Sequence, residues 1–174
     1  MDLPQRKKNR LEKHFYNSGY FFVTICTKDR IPYFVGANTI RPHNSTIHPN
    51  KYGKIIEKNR LQIPSIYENV ALDEYIIMPN HIHGIIVIDA VQAINNPMID
   101  AVQAINNRTY GTLSKIIKWF KQISSKQLHQ SWLKDFQRQK SFHDHIIRND
   151  EDLNRIREYI QDNPYNRKND EHYG

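Results

Sequence analysis

Val70–Ile88 reads VALDEYIIMPNHIHGIIVI, two apolar, β-rich runs separated by Pro79-Asn80. Val, Ile and Tyr favour the pleated backbone, and Pro-Asn is turn chemistry, so the stretch predicts an antiparallel hairpin with strands Val70–Met78 and His81–Ile88. Side chains alternate faces along a strand, which puts His81, His83, Ile85 and Val87 on one side of the sheet. Two imidazoles one pleat repeat apart, at the mouth of a tight turn, are the first chemically loaded feature of the chain.

Working outward, Tyr20–Thr27 (YFFVTICT) is a further strand, with Phe21, Val23 and Ile25 on one face and Phe22, Thr24 and Cys26 on the other; both faces look covered. Ile31–Asn50 has neither structural period and reads as a long loop. Lys51–Ile66 is expected to hold one helix ended near Pro64. Leu113–Leu128 sets Leu113, Ile116, Ile117, Phe120 and Ile123 on one stripe and Lys115, Lys118 and Lys121 off it, an amphipathic helix with a basic flank. Gln139–Ile147 is expected to form a short edge strand. Asn149 should cap a last helix from Asp150, with Asp152 as capping-box partner, Leu153, Ile156 and Ile160 facing inward, and Pro164 as its stop. Strand, helix, strand, strand, helix, strand is the order of a split β-α-β sheet. The fold class expected is therefore α+β, ferredoxin-like, mainly antiparallel, with an added C-terminal helix.

At 174 residues and 20.8 kDa the chain fits one domain. Residues 1–13 carry Arg6, Lys7, Lys8, Arg10 and Lys13 and read as a basic arm; 14–166 form the domain and 167–174 a tail. Ile88–Asn96 (IDAVQAINN) recurs identically as Ile99–Asn107, so 88–107 is read as a duplicated loop insertion away from any chemistry. The longest apolar run, Gly84–Ile88, is far short of the roughly 20 residues that span a bilayer, and nothing resembles a signal peptide. The lone Cys26 offers neither an internal disulfide nor a thiolate cluster, which suits a reducing compartment; cytoplasm is the expectation, without membrane attachment. A net charge of +7 favours a polyanionic partner without naming it.

His81 and His83 could together grip one metal ion, with a third protein ligand and open positions for water or substrate oxygens. The competing reading makes them hydrogen-bonded groups at a strand end. His143 and His145 repeat the spacing in a polar stretch before a helix cap, and are read as mainly structural or phosphate-contacting. Tyr159 and Asn163 are four apart and share a helix face, with Asn163 a plausible hard oxygen ligand. A phenol with a pKa near 10 is a poor nucleophile unless a metal or base assists, and Tyr159 can equally be a core tyrosine with its hydroxyl at the edge.

Asp73–Ile88 (DEYIIMPNHIHGIIVI) together with Phe142–Pro164 (FHDHIIRNDEDLNRIREYIQDNP) resembles the single-tyrosine HUH transposases, in their REP-associated tyrosine transposase branch. Tyr20–Thr27 and the basic helix from Thr112 match in kind, and the resemblance runs from about His14 to Asn166. It implies that His81 and His83 are the metal pair, Tyr159 the nucleophile and Asn163 the third ligand, with Mg²⁺ or Mn²⁺ as the ion and no nucleotide cofactor. Members of the family cut single-stranded DNA, often beside an imperfect hairpin, leaving a 5′-phosphotyrosine and a free 3′-hydroxyl. Arg148, Lys115, Lys118 and Lys121 are the residues expected at the DNA backbone, against the reading that each is an ordinary solvated charge. A homodimer is among the states left open. The chain departs from the family at Arg138 and Arg167, where members commonly carry Trp. That keeps a second reading alive, a repurposed DNA-hairpin-binding protein with weakened chemistry. A third is a hydrolytic metal phosphoesterase using water as nucleophile.

Overall fold

A computed structural model describes residues 18–36, 47–89 and 111–166. The basic arm, almost all of the duplicated segment, Arg167 and the tail lie outside the described residues. Four strands, β1 (Gly19–Cys26), β2 (Val70–Ile77), β3 (His81–Ile88) and β4 (His143–Ile147), form one sheet in the order β2-β3-β1-β4 with every neighbour antiparallel. Helices α1 (Lys51–Leu61), α2 (Ile63–Ile66), α3 (Thr112–Gln130) and α4 (Asp150–Asn166) complete the order expected of the split β-α-β arrangement. The α+β class and the antiparallel sheet read from the sequence are those observed. Among the described residues no helix is long and apolar enough to cross a membrane.

The alternation of β1 and β3 divides the core in two. Phe21, Val23, Ile25, Ile82 and Ile86 pack with Ile56 of α1 and with Leu113, Ile116, Ile117 and Phe120 of α3. On the other side, Ile85 meets Ile147 and the inward stripe of α4, Leu153, Ile156 and Ile160, with Phe22 and Val87 at its margin. The sheet is thus sandwiched, and its histidine face is the one that α4 covers. Register aligns Thr24 with His83, and Cys26 with His81, across the β1–β3 pair.

Pro79-Asn80 joins β2 to β3 as expected, with Met78 N–H donating to the His81 carbonyl at 2.9 Å. The outer carbonyls of this turn are satisfied by the chain leaving β1: Thr27 N–H donates to Asn80 O (2.8 Å) and Phe34 N–H to Pro79 O (3.0 Å). Gly53 lets α1 approach that same segment, since a Cβ there would stand 2.5 Å from the carbonyl oxygen of Phe34.

Four expectations need correction. The single helix over Lys51–Ile66 is two, α1 and α2, because Pro64 lies in the first turn of a new helix, where its missing N–H costs nothing. The edge strand is His143–Ile147 rather than Gln139–Ile147: the carbonyls of Gln139, Lys140 and Ser141 turn into the ammonium of Lys121 and leave the ladder. Pro164 does not stop the last helix, which continues through it to Asn166; a proline there withdraws one N–H and the helix runs on for part of a turn. Asn149 caps α4, its Oδ1 accepting from Asp152 N–H at 2.8 Å, but the Asp152 carboxylate turns to His145 and Arg155 instead of closing a capping box.

Candidate active site at the sheet and the last helix

His81 and His83 emerge from β3 on the same face, their ring centroids 4.5 Å apart. Both side chains are fully buried. Nδ1 of His81 is bonded to Asn80 Oδ1 at 2.7 Å and Nδ1 of His83 to Thr24 Oγ1 at 2.8 Å. Because a carboxamide oxygen only accepts, Nδ1 of His81 is the donor in the first bond. Each ring is oriented through one nitrogen, leaving Nε2 as its remaining donor atom. Thr24 and Asn80 hold the rings as outer partners hold metal-bound histidines, and the sequence reading passed over both. Strand alternation already put Thr24 on the face of Phe22, so pairing β1 against β3 would have found it.

α4 brings Tyr159 to this pair. Its ring lies 5.4 Å from that of His83 and 6.0 Å, edge-on, from that of Phe22, which itself stacks on His83 at 5.3 Å. Tyr159 nevertheless keeps 40% of its surface exposed, so the residue touches the buried histidine pair and is accessible to solvent at once. One helical turn on, Asn163 is buried at 2% exposure. The helix is held in place by its apolar stripe and by an ion pair across to the sheet. Arg157 forks onto Asp73, with Nε to Oδ1 at 3.0 Å and Nη2 to Oδ2 at 2.5 Å. Asp73 can reach because β2 loses register with β3 between Leu72 and Tyr75, a bulge that re-aims its carboxylate. Arg157's hydrogen bonds hold the Asp73 carboxyl below its usual range, although partial burial opposes this.

The donor set fits a hard divalent ion. Nε2 of His81, Nε2 of His83 and Oδ1 of Asn163 are all buried from solvent, and two imidazole nitrogens with one amide oxygen would leave positions for phosphate oxygens. Among the described residues no three His, Cys, Asp or Glu side chains assemble a metal site, so a third protein donor to this pair would have to be of another kind, and the Asn163 amide is the one the sequence offers.

The second histidine pair is disposed differently. His143 and His145 are aligned with Thr24 and Phe22, hence on the same face but two strands from His83, and both are exposed. His145 Nε2 bonds Asp152 Oδ2 at 2.8 Å, which helps hold that carboxyl below its usual range, with Arg155 adding to the effect. Of the basic residues expected at DNA, Lys115, Lys118 and Arg148 are exposed. Lys121 is buried, its Nζ donating to the carbonyls of Gln139 (2.9 Å), Lys140 (3.1 Å) and Ser141 (3.0 Å). Its charge is committed to holding the approach to β4.

No family model matches the chain. A solved REP-associated tyrosine transposase, bound to a REP hairpin, matches 91% of this chain and 73% of its own at a TM-score of 0.58 and 14% identity, which shows a shared fold. An uncharacterized protein of Haemophilus influenzae Rd is 34% identical over 164 residues, 91% of this chain and 88% of that protein. The chain therefore belongs to the same family as this Haemophilus protein, and carries the fold of a tyrosine transposase.

Proposed function

We propose that the chain is a divalent-metal-dependent transposase that cleaves and rejoins single-stranded DNA, near hairpins, through a phosphotyrosine at Tyr159. The observation that carries this reading is the contact of a half-exposed tyrosine with one of two buried, oriented histidines. A tyrosine that served packing alone would be expected to bury its ring more completely than this one, which keeps 40% of its surface exposed beside the imidazoles, whereas a nucleophile needs both access and a neighbouring electrophilic centre. The hairpin-bound transposase of the same fold supports DNA as the substrate. Mg²⁺ or Mn²⁺ is the ion proposed here, on the ground that hard oxygen-tolerant donors with open positions suit such cations.

His81, His83 and Asn163 would hold the ion, which when bound polarises a phosphodiester oxygen and offsets its developing negative charge. Tyr159 Oη attacks the phosphorus and gives up its proton to solvent. The bond from phosphorus to the 3′-oxygen breaks, that oxygen takes a proton, and the 5′ side remains esterified to the tyrosine. The number of phosphoester bonds is conserved, so a 3′-hydroxyl can reverse the step and join strands. The residues around Tyr159 supply positioning: Phe22 limits the ring's travel, and the Arg157–Asp73 pair with the apolar stripe fixes the helix.

The test is incubation of the full chain with labelled hairpin oligonucleotides bearing single-stranded flanks, with Mg²⁺ or with EDTA, followed by denaturing electrophoresis. A protein-linked band that needs the metal and disappears in Tyr159→Phe supports the reading. Cleavage that persists in Tyr159→Phe without a linked band would favour the hydrolytic phosphoesterase, and binding with no cleavage the hairpin-binding protein.

A further inference from the structure

A groove of ≈ 660 Å³ runs between α3 and residues 137–142, on the side of the sheet away from α4. Lys118, Lys121, Arg138 and Lys140 line it, and no carboxylate does. Lys121 is spent on three main-chain carbonyls, but the other three cations are not. Arg138 is the informative one. Its guanidinium is half-buried, donates from Nη1 to the neutral Ser125 Oγ, and has no acidic side chain beside it among the described residues. Desolvation lowers its pKa to about 10, with no opposing contribution from a carboxylate. A guanidinium taken partly out of water without a counter-ion is unfavourable unless an anion completes it, and its planar fork suits a phosphate. Lys118 and Lys140, both exposed and without a carboxylate partner among the described residues, flank it along the groove. The amide side chains of Gln122, on α3, and Gln137, on the facing segment, also line the groove, donors and acceptors that suit sugars and base edges.

We infer that this groove is a second DNA subsite, in which Arg138, flanked by Lys118 and Lys140, takes backbone phosphates of the strand whose scissile end lies at Tyr159. The inference rests on the transposase reading for the identity of the polyanion, and adds to it a contact surface on the opposite side of the sheet. DNA engaged here is anchored at a distance from the chemistry, so binding and cleavage draw on separate residues.

The experiment is fluorescence anisotropy of a fluorescein-labelled DNA hairpin with single-stranded flanks, titrated with the full chain in EDTA across a series of KCl concentrations. Each phosphate contact contributes about 0.7–0.9 to the slope of log affinity against log salt. Arg138→Gln should weaken binding about tenfold at low salt and flatten the slope by about one. The exposed double variant Lys118→Gln/Lys140→Gln, which leaves the core untouched, should flatten it by about two contacts. Lys54→Gln, an exposed charge of α1 outside the groove, should leave the slope within a few tenths; a change equal to that of Arg138→Gln would reduce the effect to net charge and overturn the inference. It is also overturned if the double variant binds with native affinity and slope. Loss of binding in the groove variants of a chain that never forms a covalent adduct sustains the groove and removes the nucleophile. Native affinity in groove variants of a chain that does form one has the opposite meaning. A native chain that binds no DNA overturns both.

Discussion

The ring of His83 lies 5.4 Å from the ring of Tyr159, although 76 residues separate them in the chain. Neither side chain sets that distance by itself. His83 is held from β1 by Thr24, and Tyr159 by a helix whose neighbouring residue, Ile160, is driven into Ile85 and Ile147 on the same sheet face.

Ile160 therefore links packing to chemistry. At 1% exposure, its replacement by Ala should cost about 2–5 kcal/mol and loosen α4 over the histidine face. Thermal unfolding of Ile160→Ala should fall well below native, and any DNA adduct should fall with it at temperatures where the variant is still folded. An adduct yield unchanged in a destabilised Ile160→Ala would separate the tyrosine's position from this packing.

Thr24, itself buried, orients His83 from the neighbouring strand. Thr24→Val keeps the shape but removes the Oγ1 partner of Nδ1, and an outer partner of this kind is worth roughly 10–100-fold in metal affinity. Mn²⁺ titration followed by electron paramagnetic resonance should give a dissociation constant raised at least about tenfold, with His81→Ala and His83→Ala weaker still. Equal affinity in Thr24→Val and native protein would make the Thr24 bond a packing detail.

Lys121 was read as a DNA contact from its place on the basic flank of a helix; its three carbonyl partners make it a structural cation. Lys121→Met strips a charged donor from all three, at about 1–3 kcal/mol. Chemical denaturation should show that loss, while the salt dependence of DNA binding should stay within a few tenths of native. A flattened slope with native stability would return Lys121 to the phosphates.

The Arg157–Asp73 pair predicts an acid limb. The Asp73 carboxyl is held below its usual value, so its contribution to stability is fully present above the unfolded pKa near 3.9 and is lost as pH falls through the lower folded value. Asp73→Asn should accordingly be less stable than native at pH 7, with the gap narrowing as pH falls below the unfolded carboxyl's value near 3.9. Urea midpoints measured across that range check it, and a gap that stays constant would place the effect elsewhere.

The strand pattern of Val70–Ile88 carried most of the architecture, because a two-residue period and a Pro-Asn turn are local signals that tertiary packing had no reason to override. The bounds of β3 and the shared face of His81 and His83 followed from alternation alone. What stayed hidden was decided by partners far along the chain. Nothing near Asp73 announces Arg157, 84 residues on. Gln139–Ile147 has the apolar and polar content of a strand, and only the arrival of Lys121 explains why its first half leaves the sheet. Pro164 reads as a stop because local rules weigh one missing N–H heavily, while the helix that reaches it is already docked on the sheet through Leu153, Ile156 and Ile160. The half-buried guanidinium of Arg138 is likewise invisible until α3 and residues 137–142 close around it.

The most direct measurement is mass spectrometry of the protein after incubation with a single-stranded hairpin oligonucleotide and Mn²⁺, digested with nuclease and trypsin. The account predicts a peptide containing Tyr159 whose phenol carries a nucleotide through its 5′-phosphate, absent when EDTA replaces the metal. A nucleotide found on any other residue, or oligonucleotide cleaved to completion with Tyr159 unmodified throughout the time course, would contradict it.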